Sequence, residues 1–308
     1  MKRKVAVCLS LLMATLAQAS AVNVVTSTTD LAWLVKEIGE PHVQVTSLLK
    51  GTENPHYVDA VPEFIRLVSN ASIVCLVGLD LEVGWMPKVL SRSGNAQVQP
   101  GGKGYCETGK AVQVLEKPLG GVDRSLGDVH PSGNPHFWLS PKHLSQAVSP
   151  IVDALAGVDP EHAVDYVKKA KGVTGHLETL TQKNREKLKP IVAKQKGPLI
   201  IEYHKEFSYL FDSCGLTSFG SIEEKPGVTP SAGRLVSIAL AAKNAGIRVA
   251  IASENAPKQA LSRFTELSGI PVVQVPMSLQ PAKGLTSYTA LQEKLVDSIV
   301  KHLASGAP

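Results

Sequence analysis

Short runs rich in valine and isoleucine alternate with helix-patterned segments twice over in this chain, and a stretch of about thirty residues without internal proline separates the two rounds. That order admits few folds. In the first round, 22–27, 42–49 and 72–77 read as strands, with helical patterns at 30–38, 62–69 and 81–90. In the second, strands at 199–203, 216–222, 249–253 and 272–275 are followed by helical patterns at 230–245, 259–268 and 288–303. Strand and helix in alternation imply mostly parallel sheets with helices on their faces. The spacing therefore predicts two similar α/β lobes, an N-terminal one over 20–156 and a C-terminal one over 191–308, bridged by one long helix over 157–190. Within 160–189 the charges fall to one side while Leu177, Leu180 and Leu188 share a helical face, giving a rod of about 45 Å. A single helical bridge resists hinge rotation, so only modest closure between the lobes is expected.

The start of the chain predicts where it works. Lys2, Arg3 and Lys4 precede a short apolar run from Val5 to Ala17, and Ala17-Gln18-Ala19 supplies small residues for cleavage, so 1–19 reads as a signal peptide cut near Ala19. The apolar run is shorter than the roughly 20 residues a membrane span needs. A soluble protein of the periplasm is expected. Losing three basic residues takes the net charge from +5 to +5 − 3 = +2. So small a charge gives no footprint for nucleic acid, and a monomer without nucleic-acid partners is expected. Of the cysteines left after cleavage, Cys75 lies in a strand-like run and reads as a small core residue, and a disulfide between Cys106 and Cys214 is left open. The segment 95–134 is crowded with glycine and proline, which predicts an irregular loop with a short strand at 112–115, placed to act as a lid or entrance.

Three histidines carry the chemistry. His56 and His136 each follow Asn-Pro, which stiffens the loop before the ring, and His204 follows the strand-like run at 199–203. Residues just past strand ends converge on one crevice in open α/β sheets, so these three predict a metal site between the lobes. Imidazole offers a nitrogen lone pair near neutral pH. Glu254, at the end of the strand-like run 249–253, is the candidate carboxylate ligand; His130, Glu223 and Glu224 stand behind it. His42, His143, His162, His176 and His302 lack this placement, and His162 and His176 read as solvated on the bridging helix.

Six segments in order extend the reading: 26–34, Gly51-Thr52-Glu53-Asn54-Pro55-His56, Val77-Gly78-Leu79-Asp80-Leu81-Glu82, Gly133-Asn134-Pro135-His136-Phe137-Trp138-Leu139, Glu202-Tyr203-His204-Lys205-Glu206-Phe207 and Thr286-Ser287-Tyr288. Across essentially the whole chain after the signal segment, this pattern resembles the zinc and manganese solute-binding proteins of ABC transporters, the family of periplasmic zinc-uptake proteins and lipoprotein adhesins. The resemblance implies a metal held between two lobes by His56, His136 and His204, delivery to a membrane ABC permease, and a possible periplasmic metal chaperone. A histidine at the third position implies Zn(II) ahead of Mn(II) or Fe(II). The family's aspartate is missing from the matching segment 275–281, which leaves Glu254, His130 or water to complete the coordination. A zinc hydrolase is the competing reading, since three protein ligands with an open position also describe catalytic zinc, but there is no His-Glu-x-x-His and no assignable general base. A metal-stabilised adhesin is the third reading. The ligands' separation of about 150 positions argues against it, because structural sites draw on closely spaced residues.

Overall fold

In the computed structural model, residues 21–118, 120, 127, 129–194, 197 and 199–304 are described. The segment read as a signal peptide, and its cleavage point, lie outside them. The N-terminal lobe is built on β1 (Val22–Thr26), β2 (Val43–Ser47), β3 (Ile73–Leu76) and β4 (Tyr105–Glu107), all parallel in the order β2-β1-β3-β4. The C-terminal lobe uses β5 (Ile200–Glu202), β6 (Ser218–Ser221), β7 (Val249–Ser253) and β8 (Val272–Val275), parallel in the matching order β6-β5-β7-β8. The same topology thus occurs twice, and each sheet has its switch point beside the strand that opens it. The helices of the first lobe are α1 (Thr29–Gly39), α2 (Pro62–Ser69), α3 (Met86–Ser93), α4 (Pro141–Leu144) and α5 (Val148–Val158). Those of the second are α7 (Ser208–Cys214), α8 (Ala232–Asn244), α9 (Lys258–Ser268) and α10 (Tyr288–Ala304), and α6 (Ala163–Val192) joins the lobes.

At about 1.5 Å per residue, the 30 residues of α6 span roughly 45 Å. Its buried stripe of Tyr166, Ala170, Val173, Leu177, Leu180, Asn184 and Leu188 repeats at three- and four-residue steps, and so faces one way down the whole rod. The apolar members of that stripe belong to a hydrophobic cluster running unbroken from Val24 and Leu34 in the first lobe through Trp138 to Tyr209, Leu291 and Leu295 in the second. The outer faces of the two sheets are covered by separate clusters. The lobes therefore share one core, and an interface of this kind resists rigid-body rotation.

A strap completes the seam. Residues 277–280 follow β8 and cross onto the first lobe. Trp138 Nε1 donates to the Met277 carbonyl at 2.7 Å, Thr29 Oγ1 donates to Leu279 O at 2.7 Å, and the Leu279 N–H donates to Asp30 Oδ1 at 3.2 Å. Gln280 Nε2 donates to Gly51 O at 3.2 Å. Gly51 has φ +85°, and a Cβ there would overlap the Leu279 carbonyl oxygen, so both the turn and the approach of the strap require glycine.

Two local expectations differ from the structure, and one open question is answered. The edge strand is Tyr105–Glu107, with Cys106 in register beside Cys75, and 112–115 pairs with no strand. Backbone groups of Leu115 go instead to Tyr209 Oη and the Asn134 N–H, which draws the segment off the sheet and toward the second lobe. The third helix starts at Met86 rather than Leu81. Gly78, Leu79 and Asp80 all have positive φ, and the buried Glu82 carboxylate holds this turn by accepting from Ser27 Oγ and the N–H groups of Val77 and Gly78. Cys106 and Cys214 do not pair; both are buried and free, as is Cys75.

Asp30 is fully buried in the seam, and burial pushes its carboxyl up to about 7 against the lowering effect of hydrogen bonds from Ser278 and Leu279. With a folded pKa above the unfolded one, its favourable contribution is complete below about pH 4 and is lost as pH rises through about 7. Asp30→Asn, which keeps the acceptor for Leu279, should therefore gain on the wild type by roughly 2–3 kcal/mol between pH 5 and pH 8. Urea unfolding at both pH values reads the difference, and an unchanged difference would mean that Asp30 titrates normally.

Candidate metal centre

Because every strand runs parallel, the carboxyl ends of both sheets open into the space between the lobes. His56 reaches it from the loop after β2, His136 from the loop before α4 and His204 from the turn after β5. The two Asn-Pro-His segments use the same device. Asn54 Oδ1 accepts from the His56 N–H at 3.0 Å, and Asn134 Oδ1 accepts from the His136 N–H at 2.9 Å. Each asparagine thereby closes a tight turn over the proline and fixes the backbone that carries the ring.

The rings converge. Ligating atoms of His56, His136 and His204 all lie within 4.8 Å of one another, and Nε2 of His56 is 3.1 Å from Nε2 of His136. Two nitrogens bound tetrahedrally to one zinc at about 2.0–2.1 Å stand about 3.3 Å apart, so the pair is already at ligand spacing. Asn134 Oδ1 also accepts from His136 Nδ1 at 2.9 Å. An amide oxygen only accepts, so that proton sits on Nδ1 and leaves the Nε2 lone pair facing the site. Glu223 Oε2 does the same for Nδ1 of His204 at 2.8 Å, and is itself held by the Gly227 N–H at 2.9 Å. Outer carboxylates and amides of this kind orient metal-binding imidazoles. Burial, then the neighbouring imidazoles of His56, His204 and His130, hold His136 well below the usual histidine range, keeping it neutral and able to ligate.

Glu254 stands apart from this group. Its N–H donates to Val275 O, and its Oε2 accepts from Gln280 Nε2 at 3.0 Å and pairs with Lys283 Nζ at 3.4 Å. It braces the strap, with its carboxylate turned to that segment rather than to the histidines. Glu223 acts through His204. His130 lies over the group, its ring centroid 5.0 Å from that of His56 and 6.3 Å from that of His136. His176 bonds Thr289 Oγ1 at 3.0 Å, and His162 bonds Asp159 at 2.8 Å, so both are partnered rather than simply solvated.

Glu206, in the same short motif as His204, was passed over by the sequence reading because nothing in the pattern separates it from a solvated glutamate. Its Oε2 is buried without a hydrogen-bond partner, and it lines a cavity of about 140 Å³ with His56, His204, Tyr203 and Glu223. Burial pushes its carboxyl up to about 7, against the opposing pull of His204. A cavity of about 160 Å³ on the other side of the rings is lined by Glu116, His130, Asn134 and His136. At about 30 Å³ per water, each has room for a few waters.

Residues 24–302 match the sequence profile of the zinc-uptake complex component A, periplasmic family (ZnuA). The chain belongs to this family. It is 35% identical over 103 residues to the high-affinity zinc uptake system protein ZnuA of Brucella abortus, an overlap of 33% of this chain and 30% of that protein. The chain thus spans about a third of the length of the Brucella relatives it matches. It is 22% identical over 294 residues to the manganese ABC transporter substrate-binding lipoprotein PsaA of Streptococcus mitis, covering 94% of this chain and 91% of that one. The crystal structure of a ZnuA superposes with a TM-score of 0.75 at 19% identity over 92% of this chain and 100% of the other, which places the fold.

Glu223→Ala removes the acceptor that fixes His204 but no ligand atom. Metal affinity should fall about 10–100-fold with little change in the melting temperature of the metal-free protein. Isothermal titration with Zn(II) measures it, and unchanged affinity would show that His204 needs no orienting partner.

Proposed function

We propose that this protein is the extracytoplasmic solute-binding component of a metal ABC transporter, capturing Zn(II) between its lobes and delivering it to a membrane permease. The observation that carries the reading is the convergence of three neutral-capable imidazoles in one cleft, two of them already at ligand spacing. Family membership supports the transport role. A nitrogen-only primary set favours zinc over manganese, which prefers oxygen donors. The manganese protein among the relatives makes the metal the point to test. No helix among the described residues is long and apolar enough to cross a membrane, which fits a receptor that works beside a permease.

His130 is the fourth ligand in this reading. Imidazoles around one tetrahedral ion have ring centroids about 5 Å apart. The separations here are 5.2, 5.8 and 5.5 Å within the triad and 5.0 and 6.3 Å from His130 to His56 and His136. Its ring comes from the Gly- and Pro-rich segment and stands just outside the group of His56, His136 and His204, so ligation draws it inward. Glu223 supplies negative charge behind His204, and a bound cation would favour ionisation of Glu206 in the cavity wall. Against a zinc hydrolase stands the family to which the chain belongs. The relatives above are named as uptake and substrate-binding proteins.

Titration of metal-free protein with Zn(II), Mn(II) and Fe(II) under anaerobic conditions is the test. Zinc should bind reversibly at the cleft, most tightly of the three, and raise the melting temperature. His56→Ala, His136→Ala and His204→Ala should each abolish tight binding with the fold intact, and His130→Ala should weaken it about 10–100-fold. Preference for manganese would overturn the metal assignment. Normal binding by two of the three single variants would overturn the site.

A further inference from the structure

Two histidines outside the cleft sit at the other end of the first lobe. His42 immediately precedes β2, so it lies at the amino end of the sheet, away from the carboxyl ends that form the cleft. His162 precedes α6 in the short turn Pro160–His162. Their rings stack with centroids 3.7 Å apart and planes 20° from parallel. Carboxylates surround the pair: His162 Nδ1 is 2.8 Å from Asp159 Oδ2, and His42 Nε2 is 3.4 Å from Asp165 Oδ2.

Asp159, Glu161 and His162 each offer a ligand atom within 4.8 Å of the other two. Donors around a zinc ion at about 2.0–2.2 Å stand roughly 3.3 Å apart, so small side-chain rotations bring these three onto one ion. The support expected of a metal site is present as well. The buried Tyr166 hydroxyl donates to Asp159 Oδ2, and the His42 ring packs flat on His162, so carboxylate and imidazole are both held from behind. Glu161 is exposed, which leaves an entry path.

We propose that Asp159, Glu161 and His162 form a second, outward-facing site for a divalent transition-metal cation of the zinc class, with water completing the coordination. One carboxylate oxygen from each acid and one imidazole nitrogen make a mixed N/O set that zinc accepts. Ligation through His162 Nδ1 replaces its hydrogen bond to Asp159 Oδ2, and the neutral ring then carries its proton on Nε2. A bound ion would also tie the end of α5 to the start of α6. The proposal does not depend on what the cleft carries.

The test is equilibrium dialysis of Zn(II) against protein in which His56, His136 and His204 are all alanine, with zinc-edge anomalous diffraction to locate the ion. One zinc per chain should remain, at the 159–162 turn. Adding His162→Asn, or separately the surface change Glu161→Gln, should weaken that binding about tenfold or more. The metal-free melting temperature reports whether each variant is folded. Absence of bound zinc in the triple variant, or retention at full affinity in both added variants, would overturn the proposal.

Discussion

Three imidazoles carried by two lobes can meet at ligand spacing only if the lobes stand at a fixed separation, and the seam between them sets it. α6 contributes one buried stripe to a core shared by both sheets, while the strap at 277–280 bonds to Thr29, Asp30, Gly51 and Trp138 of the opposite lobe. Sub-ångström errors matter at a metal site, since ligand distances vary by only about 0.2 Å. A continuous apolar core supplies that rigidity better than surface ion pairs. The solvent-exposed pairs Lys183–Glu293 and Lys187–Asp297, which link α6 to α10, are screened by water and add little.

The seam also explains the missing aspartate. In the resemblance to metal-binding relatives, the segment after β8 is where a carboxylate ligand belongs. Here the same stretch gives its backbone to the opposite lobe, and its buried Ser278 and Gln280 serve the strap rather than the cleft. Glu254, at the end of β7, is drawn into the same work through Gln280 and Lys283. The carboxylates beside the histidines come from the other side, Glu206 after β5 and Glu223 after β6.

Much of the fold was legible because burial periodicity is a local property. β7 and β8 occupy the predicted spans, and α2 does as well, since alternating or amphipathic runs bounded by Gly or Pro have few other options. The misses have one cause: local pattern lost to a tertiary partner. Val112 to Leu115 has strand composition, yet its backbone groups find Tyr209 and Asn134 instead of a strand. Leu81 to Trp85 has helical spacing but is held in a turn by Glu82, whose carboxylate binds the backbone just before it. His162 reads as solvated on a helix, while the fold sets it against His42, which lies 120 residues earlier.

The sequence by itself determined the alternation that makes two parallel α/β lobes, the helix that bridges them and the stiff Asn-Pro-His turns, because each follows from backbone preference and the period of buried residues over a few neighbours. Only the tertiary structure decided which groups face one another: that Glu254 braces a strap, that Glu223 orients His204, that His130 stands over the triad and that Asp159, Glu161 and His162 gather at the far end of the lobe. Most of those relations join residues far apart in sequence, such as Glu254 with Gln280 or His130 with His56, and even among the near neighbours 159–162 the facing of side chains is set by what packs against them, Tyr166 and His42.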